Sequence, residues 1–525
     1  MLYKIFLGSL IILLFSFQSN DTIDDIIRKK VENAANTEIV AFGELLYCTS
    51  SIENFYQSRF FKPAWNSETS LQLITSLKKS VNEGLIPNDY HTDILISHIN
   101  SPPTTNYAKA EFDMLLTDAF LLYTSHLLSG KVNPHSIDAE WHVVRREGNP
   151  IQLLNDVIIS GEINTTFEEI IPHHQSYKDL KIALQSYSRI TGDWPIIPNG
   201  VTIKKGMEDE RIPYIRNRLI VLGDLKDTIV NNDKLYDEKL FNAIQIFQYR
   251  HGLENEGNIG VKTISELNIS IEQRINQIKA NMERWRWLPQ EFSNYYLIIN
   301  IANFNLNVIR NGNLVRSHKI IAGKPYRRTP VFSSKMNYLV INPTWTIPPT
   351  ILNVDVLPGV RKDSLYLEKK KILVYNSMGN PVNISGIDWN GKSVKSYTYQ
   401  QPSGPNNALG AVKFMFPNSY HVYLHDTPAK EMFDKSERAF SSGCIRVQDP
   451  LALAEFLIDD PINWNREKID KLVAINKTQT IILRDQPNVY LLYLTAWTEN
   501  NGVVHFRKDV YDRDKPLIEQ LKKKS

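Results

Sequence analysis

The segment 421–447, HVYLHDTPAKEMFDKSERAFSSGCIRV, places a histidine (His425) and a cysteine (Cys444) in one stretch of chain. A cysteine is a nucleophile only as its thiolate, so it needs a nearby base and an electropositive setting. His425 ends an apolar, strand-like run, and a short Ser-Gly turn presents Cys444. Gly443 lets backbone amides approach a reacting carbonyl, as an oxyanion hole requires. Arg446 can hold a carboxylate or favour the thiolate. The segment therefore predicts catalysis by Cys444 with His425 as its base.

The same residues also have purely structural interpretations. An isolated cysteine is often a small buried hydrophobe, and an isolated histidine is often a core or surface residue. A disulfide from Cys444 to Cys48, the other cysteine of the chain, would silence the thiol, but two cysteines in so long a chain do not indicate a disulfide scaffold. His421 and His425 lie four residues apart on a strand pattern without a glutamate between them, so we predict no metal and no other cofactor.

Length and composition limit the number of domains and the classes of partner. The chain of 525 residues is too long for one hydrophobic core and predicts about three domains. Its hydrophobic content of 42% and charged content of 22% are ordinary, and a net charge of +3 gives no sign of a nucleic-acid partner. Residues 1–20 contain Lys4 and then an apolar run, the pattern of a secretory signal or an uncleaved anchor. We therefore expect an exported protein of the periplasm or cell envelope, which contacts the membrane only if that segment is retained.

Changes of pattern along the chain predict a multi-domain α+β protein. Apolar spacing of three and four residues, clearest at 71–79 and 113–128, indicates helices in the first part. Strand alternation and a hairpin turn at Asn311-Gly312 indicate a β-rich, sandwich-like domain later on. The predicted units are a helical scaffold domain (21–205), a small three-helix domain (206–270), an amphipathic linking helix (271–293), a β-rich catalytic domain (294–490) with an irregular insertion or lid (342–410), and C-terminal strands and a tail packing on the scaffold or catalytic domain (491–525).

The unit at 206–270 resembles the small peptidoglycan-binding domain. The likeness is carried by a Phe-Gln-x-x-x-Gly-Leu run, which begins at Phe247 and ends at Leu253, and by the turn at Glu256-Gly257, where that domain usually has Asp-Gly. The resemblance implies a contact with wall glycan. The alternative is a three-helix spacer, because a fold does not guarantee a function.

Further stretches resemble the large, multi-domain L,D-transpeptidases of bacterial cell-wall synthesis, which have a lidded catalytic domain. The resemblance covers nearly all of the chain after its N-terminal segment. The stretches that carry it are, in order, GLIPNDYH, LLSGKVNP, KANMERWRWLP, IAGKPYRRTPVFSSKMNYLVINPTWTIP, QPSGPNNALGAVKFMFPN, YLHDTP with SSGCIRV, and VYLLYLTAW.

The resemblance implies specific roles. In that family the cysteine of Ser-x-Gly-Cys is the nucleophile, which implies Cys444, and the preceding histidine is the base, which implies His425. The carbonyl of Asp426 would orient the imidazole, and the N–H groups of Gly443 and Cys444 would stabilise the oxyanion. Smaller members of the family often have His-Gly-Cys, where this chain has Ser442-Gly443-Cys444. The implied substrate-binding residues are Tyr423, Arg446, Ser442 and, at the mouth under the lid, Trp345.

The implied partners are peptidoglycan stem peptides, a tetrapeptide donor and a diamino-acid acceptor. Cys444 would form a thioester with release of D-alanine, and the acceptor amine would then complete a 3→3 cross-link. Water as acceptor would make the protein an L,D-carboxypeptidase, and a protein amine would make it a wall-anchoring transferase. Carbapenems would acylate the same thiol. The alternatives from other classes are a non-catalytic peptidoglycan-binding protein and a cysteine endopeptidase, although endopeptidases usually place the cysteine before the histidine.

Overall fold

Helices fill the first half of the chain, and strands dominate the second. The computed structural model describes residues 21–33, 38–226, 232–499 and 502–524. The predicted signal or anchor segment, 1–20, lies outside the described residues. Within these described ranges, no helix is long and apolar enough to cross a membrane. A helical N-terminal part followed by a β-rich sheet domain confirms the predicted α+β class.

The N-terminal region packs its helices around the long α5. Its elements are α1 (Ile23–Asn33), β1 (Val40–Ala41), β2 (Glu44–Leu45), α2 (Thr49–Ser58), α3 (Ser67–Lys78), α4 (Thr92–Asn100), α5 (Asn106–Ser129), α6 (Pro134–Ile137), α7 (Pro150–Ser160), α8 (Ile163–Ile170) and α9 (Gln175–Ser188). Asn66 begins α3 with a reciprocal capping box, and Thr105 caps α5. One apolar cluster joins α1 to α8, whereas α9 packs into the core of the β-rich domain.

Three helices form the small unit that follows: α10 (Ile212–Val221), α11 (Glu238–Arg250) and α12 (Val261–Leu267). Their apolar cluster already begins at Ile197, and Ile203 pairs with Ile259. The Phe-Gln run has a clear structural role here. Phe247 is fully buried, and the Gln248 side chain accepts from the N–H of Gly257 at 2.9 Å. The motif therefore fastens α11 to the Glu256-Gly257 turn.

Helix α13 (Ile271–Arg286) differs from the amphipathic linker that the sequence predicts, because its last turns are buried on all sides. Arg286 pairs with Glu283 at 2.6 Å and donates to the carbonyl of Glu83 at 2.8 Å. Glu283 also accepts from the N–H of Val132 at 2.7 Å. The charged residues that suggested a solvent-facing side are thus paired inside the protein.

One large sheet forms the predicted catalytic domain. The strands after α13 are β3 (Tyr295–Asn300), β4 (Asn305–Arg310), β5 (Asn313–Gly323), β6 (Phe332–Lys335), β7 (Tyr338–Ile341), β8 (Trp345–Thr346), β9 (Leu373–Tyr375), β10 (Thr398–Gln401), β11 (Val412–Met415), β12 (Leu424–His425), β13 (Ala439–Ser441), β14 (Ile445–Val447), β15 (Gln479–Ile482), β16 (Asn488–Leu492), β17 (Ala496–Thr498) and β18 (Val504–Phe506). The sheet order is β15-β7-β11-β12-β14-β5-β4-β3-β16-β6, with β13 beside β5. Only Met336 and Asn337 separate β6 from β7, yet these strands lie near opposite ends of that order. The sheet therefore folds over on itself and encloses the core, in agreement with the predicted sandwich-like domain.

The insertion at 342–410, named the lid subdomain after the predicted lid, is folded rather than an irregular loop. Strands β8, β10 and β9 form a separate sheet. They pack with α14 (Pro349–Ile351), a π-helical turn (Leu352–Val356), α15 (Leu357–Lys362) and α16 (Tyr366–Lys369) around an apolar cluster of their own. Its helices and strands span at most six residues each, which is too short for hydrophobic periodicity to reveal them.

The C-terminal segment returns to the scaffold. After α17 (Pro450–Ile458) and α18 (Arg466–Ala474), the β17–β18 hairpin leads to a helix that the sequence analysis did not anticipate, α19 (Asp514–Leu521). The carbonyl of Leu521 accepts from the ammonium of Lys131 at 3.1 Å, and Asp514 pairs with Arg284 at 2.6 Å. This segment therefore contacts both the scaffold region and α13.

Replacing Glu283 by alanine leaves Arg286 charged and unpaired in the core, so we expect Glu283→Ala to reduce the free energy of unfolding by about 3–5 kcal/mol. Urea denaturation followed by circular dichroism measures the change. The matched control is Glu467→Ala, which removes an exposed pair with Lys471 and should change stability by about 0.5 kcal/mol or less. Equal effects of the two substitutions would contradict a structural role for the buried pair.

Candidate active site

The parallel pairing of β12 with β14 brings the two predicted segments together. Leu424 lies opposite Ile445, and His425 lies opposite Arg446. Side chains alternate between the two faces of a strand, and Leu424 and Ile445 are buried in the core. The opposite face therefore collects the residues on either side of them: Tyr423, His425, Cys444 and Arg446.

The imidazole of His425 is buried and held in one tautomer. Its Nδ1–H donates to the carbonyl of Asp426 at 2.5 Å, which leaves Nε2 as the proton acceptor. Burial, followed by the positive charge of Arg446, lowers the pKa of His425 to about 3. The imidazole is therefore neutral at pH 7 and is able to accept a proton.

The carboxylate of Asp426 is fixed by the end of the lid subdomain. It accepts from the N–H of Ala411 at 2.8 Å and pairs with Lys430. Gly410 has φ +60°, and a Cβ there would lie 2.3 Å from the Asp426 carboxylate, so only glycine fits. Gly410 and Ala411 thus hold the residue that orients His425. The sequence analysis missed this role, although both residues lie within the quoted QPSGPNNALGAVKFMFPN stretch.

Cys444 lies beside Tyr423 on this face. Its thiol donates to the carbonyl of His421 at 3.6 Å. Burial raises the pKa of the thiol, while the backbone N–H and hydroxyl of Tyr423 and the charge of Arg446 oppose the rise. The resting cysteine is therefore a protonated thiol beside groups that stabilise its thiolate.

The turn before Cys444 is held by hydrogen bonds of its own. The N–H of Gly443, predicted as an oxyanion donor, donates to the hydroxyl of Ser441 at 3.1 Å. The N–H of Cys444 takes part in none of the hydrogen bonds among the described residues. In this conformation one of the two predicted oxyanion donors is occupied and the other is free.

The predicted substrate-binding residues surround the thiol. Burial raises the pKa of Tyr423, and a hydrogen bond from Trp345 opposes that rise, so β8 of the lid subdomain lies against Tyr423. Ser442 accepts from Arg327 at 2.7 Å, a contact that the sequence analysis did not identify. Arg446 Nη1 lies 3.8 Å from the sulfur of Met432, and its buried Nε has no hydrogen-bond partner in the described part of the chain. Arg446 is thus a largely buried cation with donor capacity to spare.

Comparison with known proteins shows what the region around this site resembles. The sequence model of the L,D-transpeptidase catalytic domain matches residues 294–464, and the model of the scaffold domain matches residues 50–184. Residues 294–464 are thus similar to an L,D-transpeptidase catalytic domain, and residues 50–184 are similar to a scaffold domain. His425, Cys444 and their neighbours lie inside the matched transpeptidase region.

A relative in Haemophilus influenzae, named "Putative L,D-transpeptidase", is 34% identical over 279 residues. The alignment covers 52% of this chain and 56% of the relative, so the chain spans about half the length of that curated protein. Among solved structures, an L,D-transpeptidase from Stackebrandtia nassauensis is 14% identical, with 56% of this chain and 96% of that chain covered and a TM-score of 0.21. Mycobacterium tuberculosis L,D-transpeptidase 1 is 13% identical, with 38% and 61% covered and a TM-score of 0.15.

The sequence raises two other roles for these cysteine and histidine residues, a disulfide and a metal site. Cys48 and Cys444 are both free, so the disulfide is not formed. Cys48 lies in the scaffold region, where its N–H donates to Asp118 at 2.7 Å. Within the described ranges, no group of three or more His, Cys, Asp or Glu side chains is arranged to hold a metal ion.

Because the charge of Arg446 favours the thiolate of Cys444, we expect Arg446→Gln to raise the pKa of Cys444. The rate of Cys444 alkylation by iodoacetamide, followed by peptide mass spectrometry across a pH series, should rise at higher pH than in the wild type. Arg446→Lys keeps the charge, and its pH profile should lie between those of Arg446→Gln and the wild type. Superimposable profiles for Arg446→Gln and wild type would show that Arg446 has no electrostatic effect on the thiol.

Proposed function

We propose that this chain is a peptidoglycan L,D-transpeptidase that forms 3→3 cross-links through a thioester on Cys444. The observation that carries the proposal is the single sheet face shared by Tyr423, His425, Cys444 and Arg446 within an L,D-transpeptidase catalytic domain. Acyl transfer by a cysteine needs a nucleophile, a base of fixed tautomer and a group that orients the base. The Asp426 carbonyl supports the third role through its contact with His425 Nδ1.

In the proposed acylation, Sγ of Cys444 attacks the carbonyl carbon of the third stem residue while its proton passes to Nε2 of His425. Concerted transfer suits this pair, because burial raises the pKa of the thiol and lowers that of the imidazole. The oxyanion accepts from the free N–H of Cys444. Collapse then breaks the C–N bond, the leaving D-alanine amine takes the proton from Nε2, and a thioester remains.

The acceptor decides the product. The side-chain amine of a diamino residue on a second stem attacks the thioester and passes a proton to His425, which returns it to the departing thiolate. The result is one amide bond exchanged for another. Water in the same position would give an L,D-carboxypeptidase, and a protein amine would attach that protein to the wall. The subdomain at 342–410 favours transfer to an amine, because a lid that excludes water protects a thioester from hydrolysis.

The site of Arg446 suits a substrate with a free carboxylate, such as a stem peptide. Stem peptides carry free carboxylates, and the arginine presents a buried Nε without a partner among the described residues. A guanidinium in a partly desolvated site binds a carboxylate strongly, with geometric selectivity. We therefore assign Arg446 to an acidic group of the donor stem.

A second surface suits the glycan of the same polymer. Trp194 and Tyr214 line a cavity of about 500 Å³ that also includes Asp193 and Asn217. Tyr214 is 53% exposed. Aromatic rings stack on sugar faces, and carboxylate and amide groups bond to sugar hydroxyls. The glycan contact proposed for 206–270 would thus lie at the start of α10, together with the loop that precedes it. Both assignments favour a place of action in the cell envelope.

The reaction is tested by incubating the protein with disaccharide-tetrapeptide and analysing the products by mass spectrometry. We expect a cross-linked dimer lighter by one D-alanine. Cys444→Ala and His425→Gln should reduce its formation on the order of 10³-fold or more, because both remove a group that bonds or moves a proton in the transition state. Cys48→Ser is the matched thiol control and should behave as wild type. Tripeptide without dimer would favour the carboxypeptidase, and absence of both products would overturn the enzymatic proposal.

The glycan contact is tested by co-sedimentation with purified sacculi, using Cys444→Ala as the background so that turnover does not interfere. Trp194→Ala and Tyr214→Ala should each weaken sedimentation several-fold. Ile246→Ala is the control, because Ile246 is 53% exposed on α11 and lies outside the cavity. Equal sedimentation of all variants would contradict the assignment of this surface.

A further inference from the structure

The segment 323–329, GKPYRRT, contacts every residue of the turn that precedes the nucleophile. We call residues 441–443 the nucleophile turn. The contacts are the N–H of Lys324 to the carbonyl of Ser441 at 3.0 Å, the hydroxyl of Thr329 to the carbonyl of Gly443 at 2.8 Å, and the guanidinium of Arg327 to the hydroxyl of Ser442 at 2.7 Å. The two outer contacts involve the main chain of the turn, whereas the middle one joins two side chains.

The two ends of the 323–329 segment are anchored. The hydroxyl of Tyr511 donates to the carbonyl of Gly323 at 2.6 Å and accepts from the N–H of Thr329 at 3.3 Å. The Thr329 hydroxyl in turn accepts from the N–H of Gly323 at 2.9 Å. The middle of the segment is at the surface, where Tyr326 is 74% exposed. Arg327 therefore extends from an exposed bend whose ends are fixed.

Arg327 also holds the lid subdomain. Its Nη1 and Nη2 donate to the two carboxylate oxygens of Asp355 at 2.7 and 3.1 Å. Asp355 lies in the π-helical turn Leu352–Val356 of the lid subdomain. The same Nη1 donates to Ser442, so one planar guanidinium connects the lid to the nucleophile turn.

We propose that Arg327 is a positioning residue that couples closure of the lid subdomain to the arrangement of the nucleophile turn. A guanidinium has a rigid fork of donors, and a bidentate carboxylate fixes the orientation of that fork. When Asp355 is withdrawn, the long Arg327 side chain regains its rotamers and the Ser442 contact is no longer held in place. Ser442 precedes Gly443 and Cys444, so its release changes how the thiol and the N–H of Cys444 are presented. The catalytic meaning of this coupling rests on the proposed function.

The charges around Arg327 support a contact that opens readily. Lys324 and Tyr326 are neighbours on its own segment, and Asp355 is the carboxylate with which it pairs. The side chains of Arg327 and Asp355 are 19% and 44% exposed. A partly exposed ion pair is screened by salt and is of modest strength. The closed state is thus held by an interaction weak enough to allow exchange of substrate and product.

The experiment measures alkylation of Cys444 in the full-length protein by peptide mass spectrometry, with iodoacetamide as a small reagent and pyrene-maleimide as a bulky one. Asp355→Asn should accelerate the bulky reagent roughly two- to fivefold, the range for loss of a partly exposed ion pair. Because the turn is released as well, the iodoacetamide rate should also change. In the Arg327→Gln background, Asp355→Asn should have no further effect on either rate. High salt should reproduce the effect of Asp355→Asn in the wild type and have none in Arg327→Gln.

The matched control is Asp363→Asn, which removes a lid carboxylate paired with Lys369 at 2.6 Å and should leave both rates unchanged. An Asp355→Asn variant that accelerates only the bulky reagent, or whose effect persists in the Arg327→Gln background, would overturn the coupling. Alkylation needs no substrate. A protein that shows the expected alkylation pattern but forms no cross-link would therefore contradict the proposed function and leave the coupling intact. A protein that forms the cross-link but lacks the alkylation pattern would contradict the coupling and leave the proposed function intact.

Discussion

The buried ion pair between Glu283 and Arg286 is the constraint on which the assembly of the chain depends. Two opposite charges are tolerated in an apolar core only if their remaining hydrogen-bonding groups are also satisfied. Here the carbonyl of Glu83 accepts from Arg286, and the N–H of Val132 donates to Glu283. Both Glu83 and Val132 lie in the scaffold region. Gly130 must be a glycine, because a Cβ there would lie 2.6 Å from the Glu283 carboxylate. The position of α13 against the scaffold is therefore specified by polar geometry and not by apolar packing alone.

This constraint extends to the active site through the C-terminal segment. The amide of Asn281, on α13, donates to the hydroxyl of Thr495 at 2.8 Å. Farther along the chain, Tyr511 stacks on Tyr493 at 5.3 Å and bonds to both ends of the 323–329 segment. That segment holds the nucleophile turn. A tail that contributes no reacting group thus buttresses the turn before Cys444, since preorganisation of a catalytic group depends on the residues that support it.

Local sequence patterns predicted the turns and helices that depend mainly on neighbouring residues. The Asn311-Gly312 turn has φ of +52° and +76°, as a two-residue hairpin requires, and the helical spacing at 71–79 and 113–128 corresponds to α3 and α5. Alternation along a strand assigns residues to faces but gives no contact between distant loops, so the contact of Arg327 with Ser442, both outside the strands, could not be foreseen. The burial of α13 was missed for the same reason, because the groups that pair with its charges are distant in sequence.

Burial disfavours charge on both proposed reacting groups, the Cys444 thiol and the His425 imidazole, and the positive charge of Arg446 lowers the pKa of both. After burial, its charge is the largest influence lowering the pKa of His425, whereas its effect on Cys444 is smaller than that of the two Tyr423 donors. A stem carboxylate bound to Arg446, as proposed, would offset that charge and so raise the pKa of both His425 and Cys444. The imidazole of His425 then becomes a stronger base when the donor substrate is in place. Because burial raises its pKa, Cys444 on its own is a neutral thiol, which is poorly reactive because the thiolate is the nucleophilic form.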